Sequence, residues 1–70
     1  MIADKLRELR LKHGYSIDRL AAAAGVGSMS LWKIEKGRTR SPGLTTLRKL
    51  AAALEVPLTS LLEIDDVLPE

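Results

Sequence analysis

The sequence predicts a single all-α domain of five short helices. Apolar residues recur at helical spacing along its 70 residues, and no stretch alternates with the period of a strand. Glycine or proline separates the apolar runs, where helices stop and start. A chain this short builds only a small core. Cysteine is absent, so no disulfide or thiolate metal site staples it. Stability must come from tight helix packing, a partner subunit, or both.

The first helix is expected over about Asp4–His13, with Ile2, Leu6, Leu9 and His13 on one face and Gly14 as its left-handed stop. Ser16 is placed to cap the second, Ile17–Ala24, by accepting from a free backbone amide. Asp18 in its first turn suits the positive end of the helix dipole. Gly25 breaks that helix and Val26 points back to the core. The third helix starts after Gly27 or Ser28 and runs to Lys36, with Leu31 and Ile34 inward and Gly37 ending it. A basic loop, Arg38–Gly43, leads to the fourth helix, about Leu44–Leu54, whose stripe is Leu44, Leu47, Leu50, Ala51 and Leu54. Pro57 opens a fifth, anchored by Leu58, Leu61 and Leu62. Residues 1–62 form the expected domain, and 63–70 an acidic tail that keeps Ile64, Val67 and Leu68.

Charge divides unevenly. Residues 1–54 hold all eleven Lys and Arg against four acids, a net +7, whereas residues 55–70 carry a net −5. A basic body suits a polyanionic partner, the alternative being an unevenly solvated surface. Asp4, Lys5 and Arg7 interrupt the start of the chain, so no signal peptide is read. The longest apolar stretch, Leu20–Val26, is too short to span a bilayer. The expectation is a soluble cytoplasmic protein without membrane contact.

The informative stretch is Ile17–Lys36, read as helix, glycine turn, helix. Ala21 falls where two helices must cross closely. Gly25 falls in the turn, where a positive φ is needed. Leu20, Val26, Leu31 and Ile34 fill the angle between the helices. Together these constraints describe a helix-turn-helix, whose second helix enters the major groove. A generic helical hairpin is the alternative.

The chain also resembles the lambda-repressor-like, Cro/C1-type (XRE) family of DNA-binding domains over about residues 2–62. The resemblance rests on Leu6-Arg7-Glu8-Leu9-Arg10, Gly14-Tyr15-Ser16, Leu20-Ala21, Ala24-Gly25-Val26, Leu31 through Gly37 (LWKIEKG), and Leu47 through Leu54 (LRKLAAAL). It implies a compact five-helix lambda-repressor-like domain, with the helix-turn-helix formed by helices two and three. It also implies sequence-specific binding of double-stranded DNA, usually by a dimer on an inverted repeat. In the family, residues at the positions of Arg10 and Glu35 pair between helices one and three, which makes both structural supports, as Ala21 and Gly25 are. Three departures stand out. Ile17 occupies a position commonly held by a phosphate-binding glutamine. Gly27-Ser28-Met29-Ser30 replaces a run usually rich in long polar residues. Trp32 replaces a small or polar residue.

Helical phase, with the family's geometry, turns Ser28, Met29, Trp32 and Lys33 outward as candidate base readers. Lys33 suits guanine O6 and N7, the Ser28 hydroxyl a base edge or phosphate, and Met29 a thymine methyl. Trp32 has two readings: packing against sugar and thymine methyls at the groove wall, or a flank contact with Lys36 or the following loop. Ser16, Arg19, Arg38 and Arg40 are candidate phosphate contacts. Each cation could equally be a plain solubilising charge.

No cofactor, metal site or enzymatic activity is expected. His13, the one histidine, has no cysteine or acidic partner nearby in sequence, and Asp65 and Asp66 would not share a helix face. The expected function is transcriptional regulation as a small repressor or controller protein, acting as a homodimer on an inverted-repeat operator. Helix five and Ile64–Leu68 are the expected dimer contact. The rival function is a protein-interaction module, such as the antitoxin of a toxin pair with weak or secondary DNA binding. Leu11, Trp32, Val67 and Leu68 would be its partner surface.

Overall fold

Four α-helices and a short 3-10 turn follow one another along the chain: α1 (Ile2–Lys12), α2 (Ile17–Ala24), α3 (Ser28–Glu35), α4 (Leu44–Ala53) and the turn Leu58–Ser60. The structure, a computed structural model, describes residues 2–39 and 41–62. Arg40 and the acidic tail, with Ile64, Val67 and Leu68, lie outside the described residues.

The four helices end alike. In each, an amide two or three residues past the helix reaches back five positions, as Val26 N–H does to the Ala21 carbonyl at 3.0 Å and Arg38 N–H to that of Lys33 at 2.9 Å. This closure needs one residue at positive φ. Glycine supplies it after α1, α2 and α3, and Glu55, at φ 58°, supplies it after α4. A side chain in that conformation costs roughly 1–2 kcal/mol that glycine does not. No glycine marks the end of α4, so the sequence carries no signal for this closure.

Leu6, Leu20, Leu31, Leu50, Leu54 and Leu61 are fully buried at the centre, one or more from every element or its flank. Burying each stabilises the fold by roughly 1.5–3 kcal/mol relative to exposure. α2 packs on both α3 and α4, and α1 packs on α3. Ala21, 2% exposed, lets α2 come close to its neighbours without a side chain intervening.

Three expectations are corrected. The fifth helix is a single 3-10 turn. Pro57 is extended (φ −67°, ψ 152°) and precedes the turn, and Ser60, Leu61 and Leu62 each donate to the carbonyl three residues back. Leu58 and Leu61, three apart, align on one side of a three-residue turn, and this buries Leu61 fully. Leu44 is 50% exposed and outside the buried stripe, because it is the first residue of α4, a full turn before Leu47. His13 lies just beyond α1 and does not join its apolar face. Its Nε2–H donates to the Leu54 carbonyl at 2.7 Å, and its ring stacks on Tyr15. It thereby ties the end of α1 to the end of α4.

Candidate nucleic-acid interface

α2 and α3 are joined by the three residues Gly25–Gly27. Gly25 adopts φ 72°, ψ 33°, and its amide donates to the carbonyls of Ala21 and Ala22. The turn reverses the chain with the Gly25 and Val26 amides both engaged, the latter on the Ala21 carbonyl at 3.0 Å. The N-termini of the two helices differ. The Ser16 Oγ accepts from the Arg19 amide at 3.1 Å and caps α2. Gly27 begins α3 with no side-chain cap. The first amides of a helix have no intrahelical acceptor, so the start of α3 presents donors outward.

An ion pair holds α3 from behind. Arg10 on α1 meets Glu35 on α3 through two hydrogen bonds, Nε to Oε2 at 2.7 Å and a second guanidinium nitrogen to Oε1 at 3.0 Å. Its remaining nitrogen donates to the Tyr15 carbonyl at 2.8 Å. The side chains are 10% and 3% exposed. A planar guanidinium bound in this forked way permits one relative placement of α1, α3 and the start of α2. Leu31 and Ile34, both buried, complete the inner side of α3.

The outer side carries little. Ser28, Met29, Ser30 and Lys33 are exposed, and Met29 is the most open large apolar residue described, at 64%. The candidate readers line two depressions beside α3. Ser28, Met29 and Trp32 line a groove of about 550 Å³ with Ser16, Ile17 and Asp18 from the start of α2. Lys33 lines a separate depression of about 300 Å³ with Ser30, Thr39 and Thr46. Sequence reasoning passed over Ser30, Asp18 and Thr46. The phase of Ser30, beside Lys33 on α3, was the available signal. Thr46 comes from α4, and nothing local indicates it. Ile17, which departs from the family pattern, is a wall of the larger groove.

Among the candidate phosphate contacts, Arg19 is exposed in the first turn of α2. Arg38 lies in the loop after α3, with its guanidinium carbon 5.2 Å from the centroid of the Trp32 ring. Trp32 therefore touches both the groove and the following loop. Among the described residues there is no group of three or more His, Cys, Asp or Glu able to hold a metal ion. None of the described helices is long and apolar enough to cross a membrane.

Comparison with known proteins agrees with this geometry. The family described as Helix-turn-helix matches residues 6–61. The chain is similar to the HTH-type transcriptional regulator SlrR of Bacillus subtilis, 40% identical over 70 residues, which is all of this chain and 46% of the relative. It spans about half the length of the curated relatives it matches. It is also similar to a crystal structure of SinR, the master regulator for biofilm formation, in complex with DNA. There the identity is 35% and the TM-score 0.87, covering 90% of this chain and all of that one. A complex of SinR with SinI matches at 32% identity and TM-score 0.88, covering all of this chain and 69% of that one.

Proposed function

Because this chain belongs to the Cro/C1-type (XRE) helix-turn-helix family, we propose that it binds double-stranded DNA sequence-specifically and regulates transcription, with α3 laid in the major groove. The observation that carries this reading is the asymmetry of α3. Its inner side is fixed by a forked ion pair and two buried side chains. Among the described residues its outer side makes no side-chain hydrogen bond or ion pair, and Trp32 meets Arg38.

In this reading Lys33 is the principal base reader, through guanine O6 and N7. Ser28 and Met29 read beside it, with Trp32 at the groove wall. Ser16, Arg19, Arg38 and Arg40 contact phosphates and set the docking register. Arg10, Glu35, Ala21 and Gly25 support the reading helix. The solved complex of the similar protein SinR with DNA supports this placement. One helix in one groove makes a small interface, so two copies act together on half-sites about 34 Å apart in an inverted repeat. Residues 1–62 form the binding domain and the protein works in the cytoplasm, where its DNA is.

A second reading has its own support. Leu11 and Leu44 are at least half exposed, and the chain is similar to SinR as solved with SinI. These residues would be the surface for a protein partner.

Selection from a random duplex pool followed by sequencing tests the proposal. The expected outcome is an inverted repeat with half-site centres about 10 base pairs apart. Enrichment of no sequence would remove the claim of specific reading, and a single unrepeated half-site would remove the dimer.

A further inference from the structure

We infer that Trp32 is a positioning residue that holds Arg38 ready for a phosphate of the DNA backbone. The inference rests on the DNA-binding reading above and adds a role for the Trp32–Arg38 pair.

The geometry fixes Arg38 at both ends. Gly37, at φ 74°, turns the chain back along α3. The amides of Arg38 and Thr39 then both donate to the Lys33 carbonyl, at 2.9 and 3.2 Å. This anchors the backbone beneath the side chain. At the other end the guanidinium lies 5.2 Å from the centroid of the half-buried Trp32 ring, within the range of cation–π attraction. Among the described residues the guanidinium makes no hydrogen bond, so its N–H donors are left for another partner. Trp32 also lines the groove beside Ser28 and Met29, so those donors sit at the edge of the proposed reading surface. A free arginine loses much rotamer freedom on binding a phosphate. One already held on a ring loses less, and the difference appears as affinity.

The test compares wild type, Trp32→Leu, Arg38→Gln, the double variant and Arg38→Lys, each as the full chain, binding the selected duplex across a salt series. Trp32→Leu is expected to weaken binding roughly 2–5-fold, the size of an exposed cation–π contact. Arg38→Gln is expected to lower the log–log salt slope by about 0.9, one phosphate contact. The double variant should lose less than the product of the two single losses. Arg38→Lys, on the exposed loop and without bearing on the core, should keep the slope and still lose affinity, because it keeps the charge and not the planar face. Losses from Trp32→Leu and Arg38→Gln that multiply in the double variant would overturn the inference and leave DNA binding standing. So would an Arg38→Lys variant indistinguishable from wild type. Wild-type binding that ignores salt would overturn the DNA-binding reading, and this inference with it.

Discussion

The two sides of α3 follow opposite rules. The inner side is over-determined: Leu31 and Ile34 are buried, and Glu35 receives a forked guanidinium from α1. The outer side is sparse: two serines, a methionine and a lysine, all exposed. Rigidity on one side is what makes sparseness on the other usable. A short set of polar groups can discriminate among base pairs only if the helix bearing them cannot tilt to suit a wrong one. Substitutions on the inner side should therefore cost stability, and those on the outer side binding alone.

The largest effect should follow from breaking the ion pair. Arg10→Met leaves Glu35 buried without its partner and should cost about 3–5 kcal/mol, read as a drop in the denaturation midpoint. The pair itself is worth less than that loss, since its desolvation offsets much of its attraction. An Arg10→Met/Glu35→Leu double variant should recover most of the stability. If the double variant is as unstable as the single one, the pair does more than hold its own charges.

Next in size is Lys33→Ala. It should cost about 1–3 kcal/mol of discrimination at one base pair of the site, with stability within about 0.5 kcal/mol of wild type. Competition between the selected duplex and single-base variants would show it. A uniform loss across all sequences would instead make Lys33 a phosphate contact.

Smaller effects belong to the helix ends. Ser16→Ala removes the one side-chain cap found on the two helices of the motif and should destabilise by about 1 kcal/mol. Glu55→Gly should do the reverse and raise the thermal midpoint, gaining up to about 1 kcal/mol, because glycine meets the positive φ there without strain. Unfolding curves that fail to move in opposite directions would contradict the assignment of these two ends.

Legibility in the sequence follows the range of the interaction. The cap at Ser16 and the glycine stops at 14, 25 and 37 are local choices, and local chemistry reveals them. The all-α class and most of the core follow from helical spacing. Arg10 and Glu35 are 25 residues apart, and only the resemblance to a family brought them together. The His13–Leu54 contact spans 41 residues and has no pattern to announce it. Pro57 suits either the first position of a helix or the extended residue before a turn, so the sequence does not distinguish a fifth helix from the 3-10 turn Leu58–Ser60. That Ile17 of α2 stands beside Ser28, Met29 and Trp32, and Thr46 of α4 beside Lys33, depends on where α2 and α4 flank α3, which helical phase alone does not contain.

The central claim is that the outer side of α3 reads DNA on a rigid support. Its most direct test is the affinity of the whole chain for its selected duplex and for random duplex, measured over a range of salt. Affinity is expected to fall with salt at a log–log slope of roughly −0.9 per neutralised phosphate, with the selected duplex favoured by at least ~10³. Equal affinity for the two duplexes, or binding indifferent to salt, would contradict it.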